Sequence, residues 1–212
     1  MTVILVLFTF ILFLMIDYIK NRGKIGIVKE VRSPIQRPAL ALVNGFSIPR
    51  NLSYHLGHTW ALKESPALVR VGMDDFAAKL IGKIDAIKLP QLGTWVRQGQ
   101  KLATITRDGR SVDLLSPVEG TITSVNTAAV AEPETARKDA YNGGWLVTVN
   151  SPDQKTCFHN LLSGIMASWN VENAVNRLHP ALAQDGGEAC DDFLTEMGSR
   201  DWEATCREFL LN

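Results

Sequence analysis

The stretch RDGRSVDLLSP, residues 107–117, contains the turn from which the fold can be predicted. Asp108-Gly109 favours a type I′ turn, because both central positions of that turn need a positive φ and these two residue types tolerate it. The runs KLATIT (101–106) before the turn and SVDLL (111–115) after it both have the composition of strands. The stretch therefore predicts a β-hairpin with a tight tip.

Short strand-like segments separated by turn residues occur on both sides of this hairpin. They are Val69–Gly72, Lys83–Leu89, Thr121–Val125 and Leu146–Val149. Asp74 is positioned to cap one short helix, Asp75–Ile81, which offers apolar side chains to a core. Strands and turns that alternate about every 8–12 residues are typical of a β sandwich or barrel.

Four pieces of the chain, taken together, resemble the H protein of the glycine cleavage system. The pieces are GHTWAL (57–62), the whole of residues 69–100, DLLSPVEGTITSVN (113–126) and AYNGGWLVTV (140–149). They occur in the order and at the spacing of that family. The resemblance implies a lipoyl/biotinyl-carrier-like β sandwich of the hammerhead type over residues 57–150.

The family attaches lipoate to a lysine in a motif that reads roughly E-S-V-K-A-x-S-D-x-Y-x-P. When the proline of this motif is placed on Pro117, its lysine falls on Gly109 and its glutamate falls on Thr106. Glycine has no side chain and forms no amide with lipoate, and the nearest lysine, Lys101, lies earlier on the incoming strand. The resemblance implies lipoate as the family's cofactor, but we predict that none is bound here because the attachment lysine is absent.

The amino terminus has the composition of a membrane anchor. Residues 2–16 (TVILVLFTFILFLMI) are almost entirely apolar, and three further residues bring the run close to the lower limit for a spanning helix. A signal peptide is less consistent with the sequence, since nothing basic precedes the run and no small-residue cleavage site follows it. We predict a single transmembrane helix over residues 1–20 and a juxtamembrane linker over 21–56. Basic residues follow the apolar run, so the positive-inside rule places the carboxyl-terminal part in the cytoplasm, at an inner (cytoplasmic) membrane.

Residues 151–212 predict a helical extension that is longer than the family's short tail. Ser151-Pro152-Asp153-Gln154 fits a capping box with proline at the first helical position. The predicted apolar face of this first helix consists of Phe158, Leu161, Leu162, Ile165 and Met166. Further helices are predicted around Glu172–Leu178, ending before Pro180, and over Ala189–Met197 and Asp201–Leu211.

Composition and motifs exclude several functional classes. The chain has 22 basic and 22 acidic side chains, so its charge gives no indication of nucleic-acid binding. Its three cysteines include no CxxC pair, and His55 with His58 lacks a third nearby ligand, so no metal site is predicted. None of the common catalytic or nucleotide-binding motifs is present, and we expect no enzymatic activity.

The predicted partner-binding residues are those of the hairpin tip, Arg107, Asp108, Gly109 and Arg110. Arginine is favoured at interfaces and at anion sites, although an ordinary solvated turn explains the same residues. The apolar side chains of the carboxyl-terminal helices have two interpretations as well. In the first interpretation they pack on the sandwich. In the second, a partner is contacted by Trp169, Trp202, Phe209 and Leu210.

Three functions follow from these observations. The first is a non-enzymatic, membrane-anchored interaction or assembly subunit that is accessory to a membrane complex and docks on its protein subunits. The second is a lipoyl carrier of the glycine cleavage system or a related pathway, against which Gly109 and Thr106 argue. The third is a membrane-tethered sensor that binds a small anion at the two tip arginines.

Overall fold

A computed structural model describes residues 11–13, 15, 40–182 and 202–211. The chain forms two compact units, Met1–Gln36 and Arg37–Asn212. In the first unit the four described residues are helical and their side chains are exposed. The other residues of the predicted anchor, and residues 21–39 of the predicted linker, lie outside the described part. Among the described residues, no helix combines the length and apolar character needed to cross a bilayer.

The second unit is rich in β structure. Its strands are β1 (Leu40–Val43), β2 (Phe46–Pro49), β3 (Ser53–Tyr54), β4 (Thr59–Lys63), β5 (Leu68–Met73), β6 (Ala86–Lys88), β7 (Trp95–Val96), β8 (Lys101–Arg107), β9 (Arg110–Leu115), β10 (Gly120–Val125) and β11 (Trp145–Asn150). Its helices are α1 (Asp75–Ile81), α2 (Thr127–Ala131), α3 (Pro133–Lys138), α4 (Gln154–His159), α5 (Ile165–Leu182) and α6 (Trp202–Leu210).

The strands form two principal antiparallel sheets and a separate hairpin, β1-β2. One sheet has the order β3-β4-β5-β11-β10-β7, and the other has the order β6-β8-β9. The two sheets share one hydrophobic core, and the Thr59 hydroxyl joins them by donating to the Leu115 carbonyl at 2.9 Å. The sheet-rich fold predicted from the sequence is therefore present, with the predicted hairpin as β8-β9 in the smaller sheet.

The structure differs from the predicted linker over residues 21–56, because its last part belongs to the folded unit. Residues 40–54 form three strands, and Phe46, Ile48 and Tyr54 are buried in the common core. Burial of those side chains removes apolar surface from water and holds the segment against the domain.

Helix α1 confirms the helix predicted from the sequence, including its cap. It spans Asp75–Ile81, and the Asp74 carboxylate accepts a hydrogen bond from the Ala77 amide at 2.8 Å. Phe76 and Leu80 are buried, as their spacing predicted. The helix ends at Gly82, which has a φ of 71°, a backbone angle that glycine adopts without the penalty of a Cβ.

The start of the carboxyl-terminal extension differs from the prediction. The residue that caps α4 is Asp153, which accepts from the Thr156 amide at 3.1 Å, and not Ser151. The predicted continuous apolar face does not form, because α4 ends at His159 and Ile165 begins a new helix with its own side chain 86% exposed. The side-chain spacing alone did not reveal this interruption.

The later helices also differ in their bounds. Helix α5 is continuous over Ile165–Leu182 and includes Pro180, at which the prediction ended it. Helix α6, Trp202–Leu210, is close to the predicted Asp201–Leu211. The predicted helix Ala189–Met197 lies outside the described residues.

Replacement of Gly72 by alanine tests the packing of the larger sheet. An alanine Cβ at this position would lie 2.6 Å from the Trp60 indole, which is fully buried and donates to the Ala140 carbonyl at 3.0 Å. We expect Gly72→Ala to lower the free energy of unfolding by about 1–3 kcal/mol, because overpacking forces buried groups to shift. Urea denaturation measures this change. The control is Ala86→Ser, at an exposed strand position. It should change the free energy of unfolding by less than about 0.5 kcal/mol.

Candidate functional site

The tip of the β8-β9 hairpin has the backbone geometry that the sequence predicted. Arg107 pairs with Arg110 in the strand register, and Asp108 and Gly109 between them have φ values of 48° and 74°. Gly109 is exposed, and a Cβ built on it meets no atom within 4 Å. A longer side chain would therefore find space at the tip, but its backbone would be strained in this left-handed conformation.

A carboxylate from an earlier part of the chain holds the tip in place. Asp85 accepts a hydrogen bond from the Asp108 amide at 2.7 Å, and its other oxygen lies 3.1 Å from the Lys83 ammonium. The pKa of Asp85 lies below its usual range, chiefly because of the hydrogen bond from the Asp108 amide and secondly because of the contact with Lys83. Asp85 and Lys83 were not predicted as neighbours of the tip, because nothing in the local sequence shows that the loop after α1 reaches it.

The structure places Arg107 apart from the other three predicted tip residues. The residue is only 9% exposed, and Nη1 donates to the Ile81 carbonyl at 2.7 Å. The Trp202 indole nitrogen donates to the same carbonyl at 3.1 Å, and the guanidinium carbon lies 5.9 Å from the centre of the indole ring. Arg107 thus points into the protein beneath α6, and this is a correction to its predicted place at an exposed partner-binding tip.

Asp108, Gly109 and Arg110 lie together on the surface, and all three are exposed. They are the part of the predicted partner-binding set that a partner could reach directly. The anion-sensor hypothesis required both tip arginines. It loses one of them, because the Arg107 guanidinium is bonded to protein groups and is shielded from solvent.

Lys101 is distant from the tip along the hairpin. It pairs with Leu115 in the register, at the end of the hairpin opposite Gly109, and its ammonium lies 2.8 Å from the Asp113 carboxylate. The Thr104 hydroxyl donates to the same carboxylate at 2.8 Å. Lys101 therefore does not occupy the place of a tip lysine.

His58 packs in the core of the domain. Its side chain is buried, Nδ1 lies 2.9 Å from the Asp74 carboxylate, and its ring stacks on Phe76 with 4.3 Å between the ring centres. Among the residues that the structure describes, no group of three or more His, Cys, Asp or Glu side chains is arranged to hold a metal ion.

Comparisons with known proteins agree on one family. The family described as "Glycine cleavage H-protein" matches residues 52–173. Glycine cleavage system H proteins of Xanthomonas euvesicatoria and of Mycobacterium avium are 37% and 34% identical to this chain, over 108 and 106 residues. These matches cover 51% and 50% of this chain, and 82% and 80% of the two relatives.

A solved structure has the same fold. It is the crystal structure of a glycine cleavage system H protein from Mycobacterium marinum, with a TM-score of 0.51 and 30% sequence identity. The match covers 59% of this chain and 98% of the other. The sandwich that the resemblance implied is thus confirmed, whereas α6 lies beyond the residues that the family matches.

The two tip arginines provide a matched pair of substitutions. Arg107→Ala removes a buried charged donor from the Ile81 carbonyl, and we expect it to lower the free energy of unfolding by about 1–3 kcal/mol. Arg110→Ala acts at the exposed side of the same residue pair and should change the free energy of unfolding by less than about 0.5 kcal/mol. Chemical denaturation of both variants measures the difference. Equal effects would contradict the burial assigned to Arg107.

The hydrogen bond from the tip to Asp85 predicts an acid-sensitive signal. A carboxyl group whose pKa is depressed on folding stabilises the fold above its unfolded pKa and loses that effect as the pH falls through its folded pKa. The Asp108 amide resonance should therefore shift with a midpoint below 3.8, the ordinary value for this group. NMR titration measures the midpoint, and Asp85→Asn should remove the component of the shift that has this midpoint.

Proposed function

Since this chain belongs to the glycine cleavage H-protein family, we propose that it is a non-enzymatic binding module of that family which works without a covalently attached lipoyl group. The observation that carries this proposal is the hairpin tip, where the motif's lysine falls on Gly109 when its proline is placed on Pro117, and where Gly109 has a φ of 74°. A lipoyl carrier needs a side-chain amine at the end of the hairpin. The tip offers a bare backbone in its place.

The rest of the hairpin supports the same proposal. The tip is stabilised as a turn suited to glycine, with the Asp85 carboxylate bonded to the Asp108 amide. The residue before the turn, Arg107, is used for internal packing. The surface that remains, Asp108 to Arg110, is a small polar projection of the kind that contributes to the rim of a protein interface.

We further propose that the module is an accessory subunit of a membrane complex, held at the cytoplasmic face of an inner membrane. The support is in the sequence, from the apolar run of residues 2–16 and the basic residues that follow it. Protein subunits of that complex would be the partners, with the membrane itself as the site of attachment.

A lipoyl carrier of the glycine cleavage system is the second candidate. It is favoured by the names of the relatives, which are glycine cleavage system H proteins. In that case lipoate would need a different lysine. Lys83 is the one that the structure brings towards the tip, through the carboxylate of Asp85.

Intact-mass measurement of the native protein separates the two candidates. We expect the unmodified mass, and no lipoyl group on Lys83 or Lys101 after peptide mapping. A lipoylated form purified from cells would overturn the proposal and restore the carrier. The control is Gly109→Lys incubated with a lipoate ligase. Modification of that variant shows that the ligase accepts the remaining surface and that the missing lysine alone prevents lipoylation.

Membrane attachment is tested separately by fractionation of cells that express the full chain. We expect the protein in the membrane fraction, resistant to extraction by high salt, because a spanning helix is held by apolar contact with lipid. A full-length form in the soluble fraction would contradict the anchored part of the proposal and leave the absence of lipoate untouched.

A further inference from the structure

Helix α6 packs on the surface beside the hairpin and is anchored at both of its ends. It contacts β9 and α1. At its start, Trp202 donates to the Ile81 carbonyl at 3.1 Å. Near its end, the Phe209 ring lies 5.8 Å from the Phe76 ring. The Leu210 carbonyl follows, and a Cβ placed on Gly57 would approach it to 2.9 Å.

The buried side of α6 has the spacing of a helix recognised in a groove. The buried apolar side chains are Trp202, Cys206, Phe209 and Leu210, at relative positions 1, 5, 8 and 9 of the helix. Ala204, Arg207 and Glu208 are exposed on the other side. Amphipathic helices that bind in grooves use anchors at i, i+3, i+4 and i+7, and Trp202, Cys206 and Phe209 follow the i, i+4, i+7 part of that spacing.

The surface beneath α6 has polar as well as apolar complementarity. The Ile81 carbonyl is one of the last carbonyls of α1, which have no partner within their own helix. Arg177 of α5 borders the surface, with its guanidinium 4.6 Å from the centre of the Phe209 ring and 2.5 Å from the Glu208 carboxylate. The surface therefore selects a helix with an indole donor at one end and an acidic residue beside an aromatic one at the other.

We propose that the surface formed by β9, the carboxyl end of α1 and Gly57 is a helix-binding groove, which α6 fills in cis and which accepts an amphipathic helix of the same spacing in trans. This proposal does not depend on the absence of lipoate, since it concerns a surface beside the tip and a helix outside the residues matched to the family.

A synthetic peptide with the sequence of residues 201–212 serves as the probe. We compare its binding to the full-length chain and to full-length Phe209→Ala, in which the helix in cis has lost an anchor. The labelled peptide should bind the variant at least about tenfold more tightly than the unchanged chain, because truncation of a packed interface aromatic weakens the competing contact by that factor or more. Fluorescence anisotropy measures both affinities.

Three controls place the binding in the groove. A peptide with alanine at the position of Phe209 should bind the variant at least about tenfold more weakly than the natural peptide. Full-length Ala204→Ser, altered on the exposed side of α6, should bind like the unchanged chain. Adding Gly57→Ala to Phe209→Ala should reduce peptide binding, because the new Cβ meets the helix end.

A second variant keeps the test valid if Phe209→Ala does not fold, which circular dichroism reveals. Glu208→Lys changes an exposed residue and sets two positive charges against each other at Arg177, so it loosens α6 without changing the core. The natural peptide should also bind this variant more tightly than the unchanged chain. Equal affinity for the unchanged chain and both variants, or no binding to folded variants, would overturn the proposal.

Discussion

The Ile81 carbonyl is the point at which three parts of the fold are held together. It ends α1, where a backbone acceptor has no partner within its helix and carries part of the negative end of the helix dipole. Arg107 brings the hairpin to it and Trp202 brings α6 to it, with donor distances of 2.7 and 3.1 Å. A charged hydrogen bond in a buried setting is worth more than a neutral one at the surface. The position of the hairpin tip therefore depends on this acceptor as well as on the turn.

Local chemistry predicted the elements of the domain well. Asp74 and the apolar residues that follow it gave the bounds of α1, and Asp108-Gly109 gave the tip of the hairpin, because both signals act within a few residues. The predicted strand Leu146–Val149 lies within β11, Trp145–Asn150. In β11 the consecutive residues Leu146, Val147, Thr148 and Val149 are all buried, because β11 lies between β5 and β10 with protein on both of its faces.

The parts that sequence reasoning missed depend on contacts between distant residues. The burial of Arg107 requires Ile81, 26 positions earlier, and Trp202, almost a hundred positions later. Similarly, the carboxylate that accepts from the tip comes from Asp85, 23 positions away. Charge and exposure are usually linked, so an arginine beside a turn is expected to face water. The Ile81 carbonyl and the packing of α6 over this residue reverse that expectation, and the sequence of the hairpin contains no sign of either.

The tip and α6 both bear on the proposal that this member of the family works as a binding module. A carrier must leave its hairpin free to enter a partner, and it needs a long side chain at the end. In this chain the tip is a glycine turn tied to Asp85, and one side of the hairpin is covered by a helix from the same chain. Both features fix the hairpin in place and add contact surface around it. They are consistent with the proposed binding module, in which this part of the domain holds a partner.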